Sequence, residues 1–268
     1  MVIGDDFGFL VSKVSKLSGI DLSKYRESYI KRRIDFRMKI IGVESYSKYC
    51  KMLSTNQKEL DSLINTITIN VTEFMRDKTP FEFFLNKILP QIRDRKIRSN
   101  SRLLRVWSAG CSYGEEPYSI AICLSEFFDR EWITSVYATD IDDQCLDTAK
   151  SGLYKPEQLR NLNEEIKLKY FEKVNGHYRI KDFIKKKVKF KKHDLTTQPP
   201  ISSFFDAIFC RNVMIYFNEE QKRKVLNDFY RSLSSGGYLI IGKSESLPVE
   251  FKNKFKPVDL REKIYLKV

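Results

Sequence analysis

The chain has 268 residues, of which 42% are hydrophobic and 31% charged, and it carries a formal net charge of +13. That composition excludes a disordered chain, and the length allows one large domain or two small ones. No apolar run is long enough to span a bilayer, and the opening MVIGDDFGFLVSK lacks a signal-peptide layout, so we expect a soluble, cytoplasmic protein without membrane insertion.

The five cysteines (Cys50, Cys111, Cys123, Cys145 and Cys210) are odd in number and form no C-x-x-C pair. With only His177 and His193 beside them, neither a disulfide framework nor a metal site is expected. The positive charge calls for an anionic partner or serves solubility, and nucleic acid, acidic protein and anionic membrane all fit it. It is unevenly spread: Lys150 to Lys192 carries fourteen Lys/Arg against five Asp/Glu, and Asp21 to Lys51 carries nine against four.

Residues 1–75 read as all-helical. Phe7, Leu10, Val11, Val14 and Leu17 recur at helical spacing, and Gly19 closes that helix. In the next helix, Tyr25 to Ile41, the core face is Ile30, Ile34, Met38 and Ile41, while Arg26, Arg33 and Arg37 share an adjacent stripe. That stripe can bind acidic side chains or simply be solvated. Ser45 starts a shorter helix, and Leu60, Leu63, Ile64 and Ile67 mark another. Thr68 to Asp77 (TINVTEFMRD) is a linker-like strip. Thr79 as N-cap, Pro80 and Glu82 then open a helix to Lys96, which Pro90 should bend or interrupt.

Leu103 to Leu124 (LLRVWSAGCSYGEEPYSIAICL) reads as buried strand, glycine turn and helix N-terminus. This arrangement offers unpaired backbone N–H groups to a ligand at the carboxyl edge of a parallel sheet. A second strand, Ile133 to Thr139, runs into Asp140, placed to accept both hydroxyls of a ribose. The dinucleotide fingerprint and the phosphate loop are both absent. Glu115 and Glu116 would repel a pyrophosphate but suit a positively charged cofactor, as S-adenosylmethionine is. The same turn also occurs in α/β domains that bind nothing there.

Further along, Asp142 to Ser151 is helical, and residues 153–185 form a small insertion whose Asn175-Gly176 is a hairpin turn. A third strand resumes around Val188 and Phe190, and Phe205 to Cys210 is a fourth. A helix from Glu219 to Ser234, with Asn218 as its N-cap, is broken by Gly236-Gly237. Tyr238 to Gly242 is a fifth strand, and Leu260 to Val268 supplies one or two more. The class is therefore α/β: a Rossmann-like domain over 76–268 behind a small all-helical N-terminal domain.

Four motifs taken together carry a family likeness. TINVTEFMRD at 68–77, WSAGCSYGEEPYSIA at 107–121, ATDID at 138–142 and CRNVMIYF at 210–217 resemble the chemotaxis receptor methyltransferase family (CheR). The likeness covers nearly the whole chain. It implies methyl transfer from S-adenosylmethionine to glutamate side chains on the cytoplasmic helical bundle of chemoreceptors, giving γ-methyl esters and S-adenosylhomocysteine. By resemblance, Asn70 and Thr72 contact the cofactor and Arg76 lies beside the reacting methyl. Gly110 belongs to the glycine loop, Glu115 meets the methionine end and Asp140 the ribose. Asp194 and Leu195 flank the adenine, with Asp194 standing where the family usually has asparagine. Arg211 and Asn212 form the pocket rim and Tyr216 lies near the reaction centre, while Arg33 and Arg37 belong to a basic helix that docks on the receptor. The implied partner is the receptor's cytoplasmic domain, met by a monomer.

A glutamate acceptor has an ordinary pKa near 4.3, so at neutral pH it needs no general base, and none is offered by so histidine-poor a chain. The alternative is a nucleic-acid methyltransferase whose basic surface binds phosphates. Amino-methylating versions place D-P-P-Y or N-P-P-Y after the fourth strand, where this chain reads CRNV, and no Pro-Cys dipeptide exists for cytosine C5 chemistry. DNA and RNA are therefore not expected as partners.

Overall fold

The computed structural model describes residues 6–68 and 70–268; the first five residues, and Ile69 within the expected linker strip, lie outside the described residues. The chain divides into two compact units, Met1–Asn70 with Tyr216–Lys224, and Val71–Ile215 with Val225–Val268.

The first unit holds four helices: α1 (Asp6–Ser18), α2 (Glu27–Ile41), α3 (Tyr46–Leu53) and α4 (Gln57–Ile67). Leu10, Val14, Ile30, Ile34, Met38, Leu53, Leu60, Leu63 and Ile67 make its core, at the spacing expected of helices with one apolar face. Gly42, at φ 71°, ends α2 in a left-handed cap, and the Ser45 and Asn56 side chains cap α3 and α4. The arginine stripe of α2 is not uniform. Arg37 turns inward and grips Glu59 of α4 through two guanidinium nitrogens at 3.1 and 2.5 Å, while the Tyr49 hydroxyl donates to the same carboxylate at 2.8 Å. This ion pair lies inside the bundle, with side-chain exposures of 17% and 8%.

The second unit is built on a seven-stranded sheet in the order β6-β2-β1-β7-β8-β10-β9. The strands are β1 (Leu103–Ala109), β2 (Ile133–Asp140), β6 (Val188–Lys192), β7 (Phe205–Cys210), β8 (Leu233–Ile241), β9 (Phe255–Asp259) and β10 (Ile264–Lys267). The first five of these in the chain pair in parallel, and β10 runs antiparallel to both β8 and β9. The helices are α5 (Thr79–Phe83), α6 (Leu89–Arg98), α7 (Glu115–Phe127), α8 (Asp143–Ser151), α9 (Glu164–Tyr170), α10 (Asp182–Lys185) and α11 (Glu219–Ser232), which begins in the first unit and ends in this one. Trp107 and Phe209, on the central strands, are fully buried.

Several elements differ from the sequence reading. Lys78, not Thr79, is the residue before α5, and the Thr79 hydroxyl donates instead to Glu262 at 2.6 Å. The expected bend at Pro90 takes the form of a π turn, Phe84–Ile88, between α5 and α6. A widened turn absorbs the amide that proline lacks. Leu233 starts β8 rather than ending the preceding helix, so Gly236-Gly237 lie within a strand. The insertion carries the expected hairpin, β4 (Phe171–Val174) and β5 (His177–Ile180), turning through Asn175 and Gly176 at φ 48° and 77°. A two-residue strand, β3 (Leu153–Tyr154), adds to its other side.

Candidate active site

The strand order reverses at β1, whose neighbours β2 and β7 lead away in opposite directions. In open α/β sheets the crevice at the carboxyl ends of such strands is where ligands bind. Beyond Ala109 the chain turns through Gly110 at φ 82° and Gly114 at φ 95°, a region side-chained residues rarely enter. A Cβ on Gly110 would lie 2.5 Å from Val213 Cγ2, and one on Gly114 2.8 Å from Ala149 Cβ. The turn is thus packed as tightly as glycine allows. Gly110 and Cys111 donate their N–H groups to the Thr139 carbonyl at 2.8 and 2.9 Å, tying the turn to the end of β2.

Asp140 ends β2. Its carboxylate accepts the Ser112 N–H at 2.7 Å and the Asp142 N–H at 3.1 Å. Burial raises its pKa, and these backbone donors oppose the rise.

Glu115 opens α7 and is fully buried. Gln158 Nε2 donates to its Oε1 at 2.5 Å, but Oε2 has no partner among the described residues. Burial pushes this carboxyl up to about 7 against the pull of its own backbone amide and Gln158. A carboxyl at a helix N-terminus with an orphaned buried oxygen calls for a further donor. That is the fit an ammonium-bearing cofactor requires.

The strip leading to α5 is clamped from several sides. Phe74 donates its N–H to the Gln158 carbonyl at 3.0 Å and accepts Asn161 Nδ2 at 3.2 Å, while Met75 donates its N–H to Ser119 Oγ at 2.9 Å. Met75, Asp77 and Lys78 all have positive φ, at 49°, 62° and 43°. Strain of this kind costs on the order of 1–3 kcal/mol per residue and persists only where the surroundings over-determine it. Arg76 sits in the middle, with one guanidinium nitrogen donating to the Val71 carbonyl at 2.7 Å. Thr72 is half-buried in the same strip.

Arg211, expected at the pocket rim, has its guanidinium engaged within the unit. Its guanidinium donates to the Asp77 carboxylate at 2.6 Å and the Arg76 carbonyl at 2.9 Å, and lies 3.7 Å from Glu116. Glu116 also accepts Ser108 Oγ at 2.7 Å; burial raises its pKa and Arg211 opposes the rise. Asn212, at φ 59°, has a buried side-chain oxygen without a partner among the described residues. Asp194 spends its carboxylate on its own turn, accepting the Thr196 N–H and hydroxyl at 2.7 Å each and the Thr197 hydroxyl at 2.8 Å. Leu195 beside it is buried.

The remaining sequence-derived candidates fall in the first unit. Asn70 donates to Thr68 Oγ1 at 3.5 Å. The Tyr216 ring lies 4.8 Å from that of Tyr29, and its carbonyl accepts the Arg26 N–H at 2.9 Å. Arg33 stands over the Tyr29 ring at 5.2 Å, and Arg37 is engaged with Glu59 as described.

Glu116 stood out in the sequence as the second of two glutamates suited to a cationic cofactor, whereas Glu245 sits in a polar turn with no motif to flag it.

Sheet order, glycine turn, the Asp140 carboxylate at the end of β2 and the orphaned Glu115 oxygen suit a methyltransferase that uses S-adenosylmethionine, and the relatives below show that class. The family model described as "CheR methyltransferase, SAM binding domain" matches residues 70–264, and that described as "CheR methyltransferase, all-alpha domain" matches residues 5–68. The chain belongs to the CheR methyltransferase family. It is 37% identical over 250 residues to a chemotaxis protein methyltransferase of Borreliella burgdorferi, covering 91% of this chain and 88% of that protein. It is 35% identical to that of Listeria innocua, covering 90% of each, and 34% identical to that of Escherichia coli, covering 85% and 80%.

Proposed function

We propose that this enzyme methylates glutamate side chains on the cytoplasmic helical region of chemoreceptors, producing γ-methyl esters and S-adenosylhomocysteine. The observation that carries the reading is the buried Glu115 carboxylate with one oxygen unpartnered. It favours a cofactor whose end group is cationic over a nucleotide phosphate. S-adenosylmethionine, when bound, supplies an electrophilic methyl group on a positively charged sulfur.

The chain's own residues do the rest. Asp140, Glu115 and the glycine turn hold the cofactor; Thr72 and Asn70 add polar contacts. Arg76 orients the acceptor carboxylate through one oxygen and leaves the other to attack. Tyr216 is the second candidate for that task. Because the acceptor is already ionised at neutral pH, alignment and exclusion of water carry the catalysis, and no base is needed.

Substrate docking belongs to residues 1–75, and residues 76–268 carry out the transfer. On α2 the exposed basic residues Lys31, Arg32 and Lys39, with half-buried Arg33, offer positive charge to an acidic receptor helix, which charge complementarity steers toward them. The enzyme works as a monomer in the cytoplasm. The test is incubation with labelled S-adenosylmethionine, a receptor cytoplasmic fragment and RNA. Base-labile label on the fragment is expected, and label on RNA alone would refute the reading.

A further inference from the structure

Glu245 lies in the link that follows β8, and only 3% of it is exposed. Its Oε2 accepts the N–H groups of Gly242 at 2.6 Å and Asn212 at 3.1 Å, while Oε1 accepts the Ile215 N–H at 3.2 Å. Burial raises its pKa, and the backbone amides of Gly242, Asn212, Ile215 and Met214 oppose the rise.

A buried carboxylate is costly to keep ionised, and several backbone donors are what make it tolerable. Read from the other side, two loops carry N–H groups that need an acceptor, and this one side chain satisfies both. The loops leave the carboxyl ends of two adjacent parallel strands, β7 and β8. The space between them is filled. A Cβ on Gly242 would lie 2.7 Å from the Asn212 nitrogen and 2.9 Å from Glu245 Oε2.

The loop gathered by Glu245 begins with Arg211 and Asn212, and Asn212 holds a left-handed conformation at φ 59°. Arg211, directly before it, carries the Arg76 carbonyl and the Asp77 carboxylate. A continuous set of contacts therefore runs from Glu245 through the Asn212 backbone and Arg211 to the strip bearing Arg76.

We propose that Glu245 is a positioning residue for methyl transfer: by fixing the backbone of residues 211–215 it aims Arg211 at the 76–77 strip and so sets the placement of Arg76. This deepens the methyl-transfer reading and rests on it. The cofactor ligands Asp140 and Glu115 lie on β2 and α7 and take no part in the contacts of Glu245. Loss of Glu245 should therefore depress turnover far more than it loosens the cofactor.

The test uses the full chain and two variants. Glu245→Gln keeps the shape but sets an amide donor against a backbone N–H, and Gly242→Ala displaces the carboxylate without removing it. For each, kcat on a receptor fragment, Kd for S-adenosylhomocysteine by calorimetry and thermal unfolding are measured beside wild type. The expected result is a kcat lower by about tenfold or more, with Kd within about twofold and a cooperative unfolding transition. Wild-type kcat in both variants, or a Kd that weakens in step with kcat, overturns the proposal. If Glu245→Gln does not fold, Gly242→Ala decides; if neither folds, the residue is purely structural and the proposal fails. A wild-type enzyme that binds S-adenosylhomocysteine but leaves the fragment unmethylated would sink the parent reading instead, a separate outcome.

Discussion

Arg211 donates to the Asp77 carboxylate at 2.6 Å with its own side chain only 1% exposed, so a strained strip is held by a nearly dry guanidinium. Replacing it by alanine leaves the largely buried Glu116 without the stronger of the two cations that act on it. The expected cost is on the order of 3 kcal/mol, since breaking a buried pair is worse than never having made one. Arg211→Lys keeps the charge but has no second nitrogen to lie toward Glu116 while the first holds the 76–77 strip, so it should recover part of the stability and little of the turnover. Urea unfolding and methylation rates of the two variants check this; an alanine variant as stable as wild type would contradict it.

Glu115 gives a pH dependence with a definite sign. Its carboxyl stands at about 7 in the folded protein against an ordinary 4.5. Between these values the folded protein binds more protons at this site than the unfolded chain. The site's contribution to stability is therefore full below about 4.5 and is lost as pH rises through about 7. A cationic cofactor end would favour the ionised form, so binding near pH 6 should release close to one proton. Calorimetry with S-adenosylhomocysteine in buffers of different ionisation enthalpy measures that release, and Glu115→Gln should abolish it.

Arg76 and Asp140 should separate turnover from binding. Asp140→Ala is expected to weaken cofactor affinity by about a hundredfold or more, equivalent to about 2.7 kcal/mol, because the ribose acceptor and the anchor for Ser112 vanish together. Arg76→Ala should leave that affinity within a few-fold and lower kcat. Equal losses of kcat and affinity on Arg76→Ala would move the residue from the reaction to the binding site.

Arg33 and Arg37 are neighbours on one helix with different expected phenotypes. Arg37→Glu sets a second carboxylate against Glu59 inside the first unit, and the result should be a lower melting temperature. Arg33→Glu, combined with exposed Arg32→Glu, should spare stability and cofactor affinity, weaken methylation of the receptor fragment and reduce its sensitivity to salt. Unchanged KM for the fragment in that double variant would remove α2 from substrate docking.

The pair also shows how far the sequence reaches. Helical periodicity places Arg33 and Arg37 on one stripe, but the partner of Arg37 is Glu59, 22 residues away, and no local pattern announces it. The same holds at Arg211, which the motif marks without revealing which way its side chain points. The glycine turn, Asp140 and the Asn175-Gly176 hairpin were legible because local backbone demands dictate their residues. β3 and β9 were not: the first has two residues, and the second breaks alternation with Pro257.

β6 and β9, the outermost strands of the large sheet, finish it in unlike ways. Lys189, Lys191 and Lys192 stand exposed along the first, and Pro257 interrupts the second. An imino acid donates no ladder hydrogen bond, and like charges repel an approaching copy of themselves. Neither margin favours edge-to-edge pairing, the one through repelling charge and the other through a missing donor.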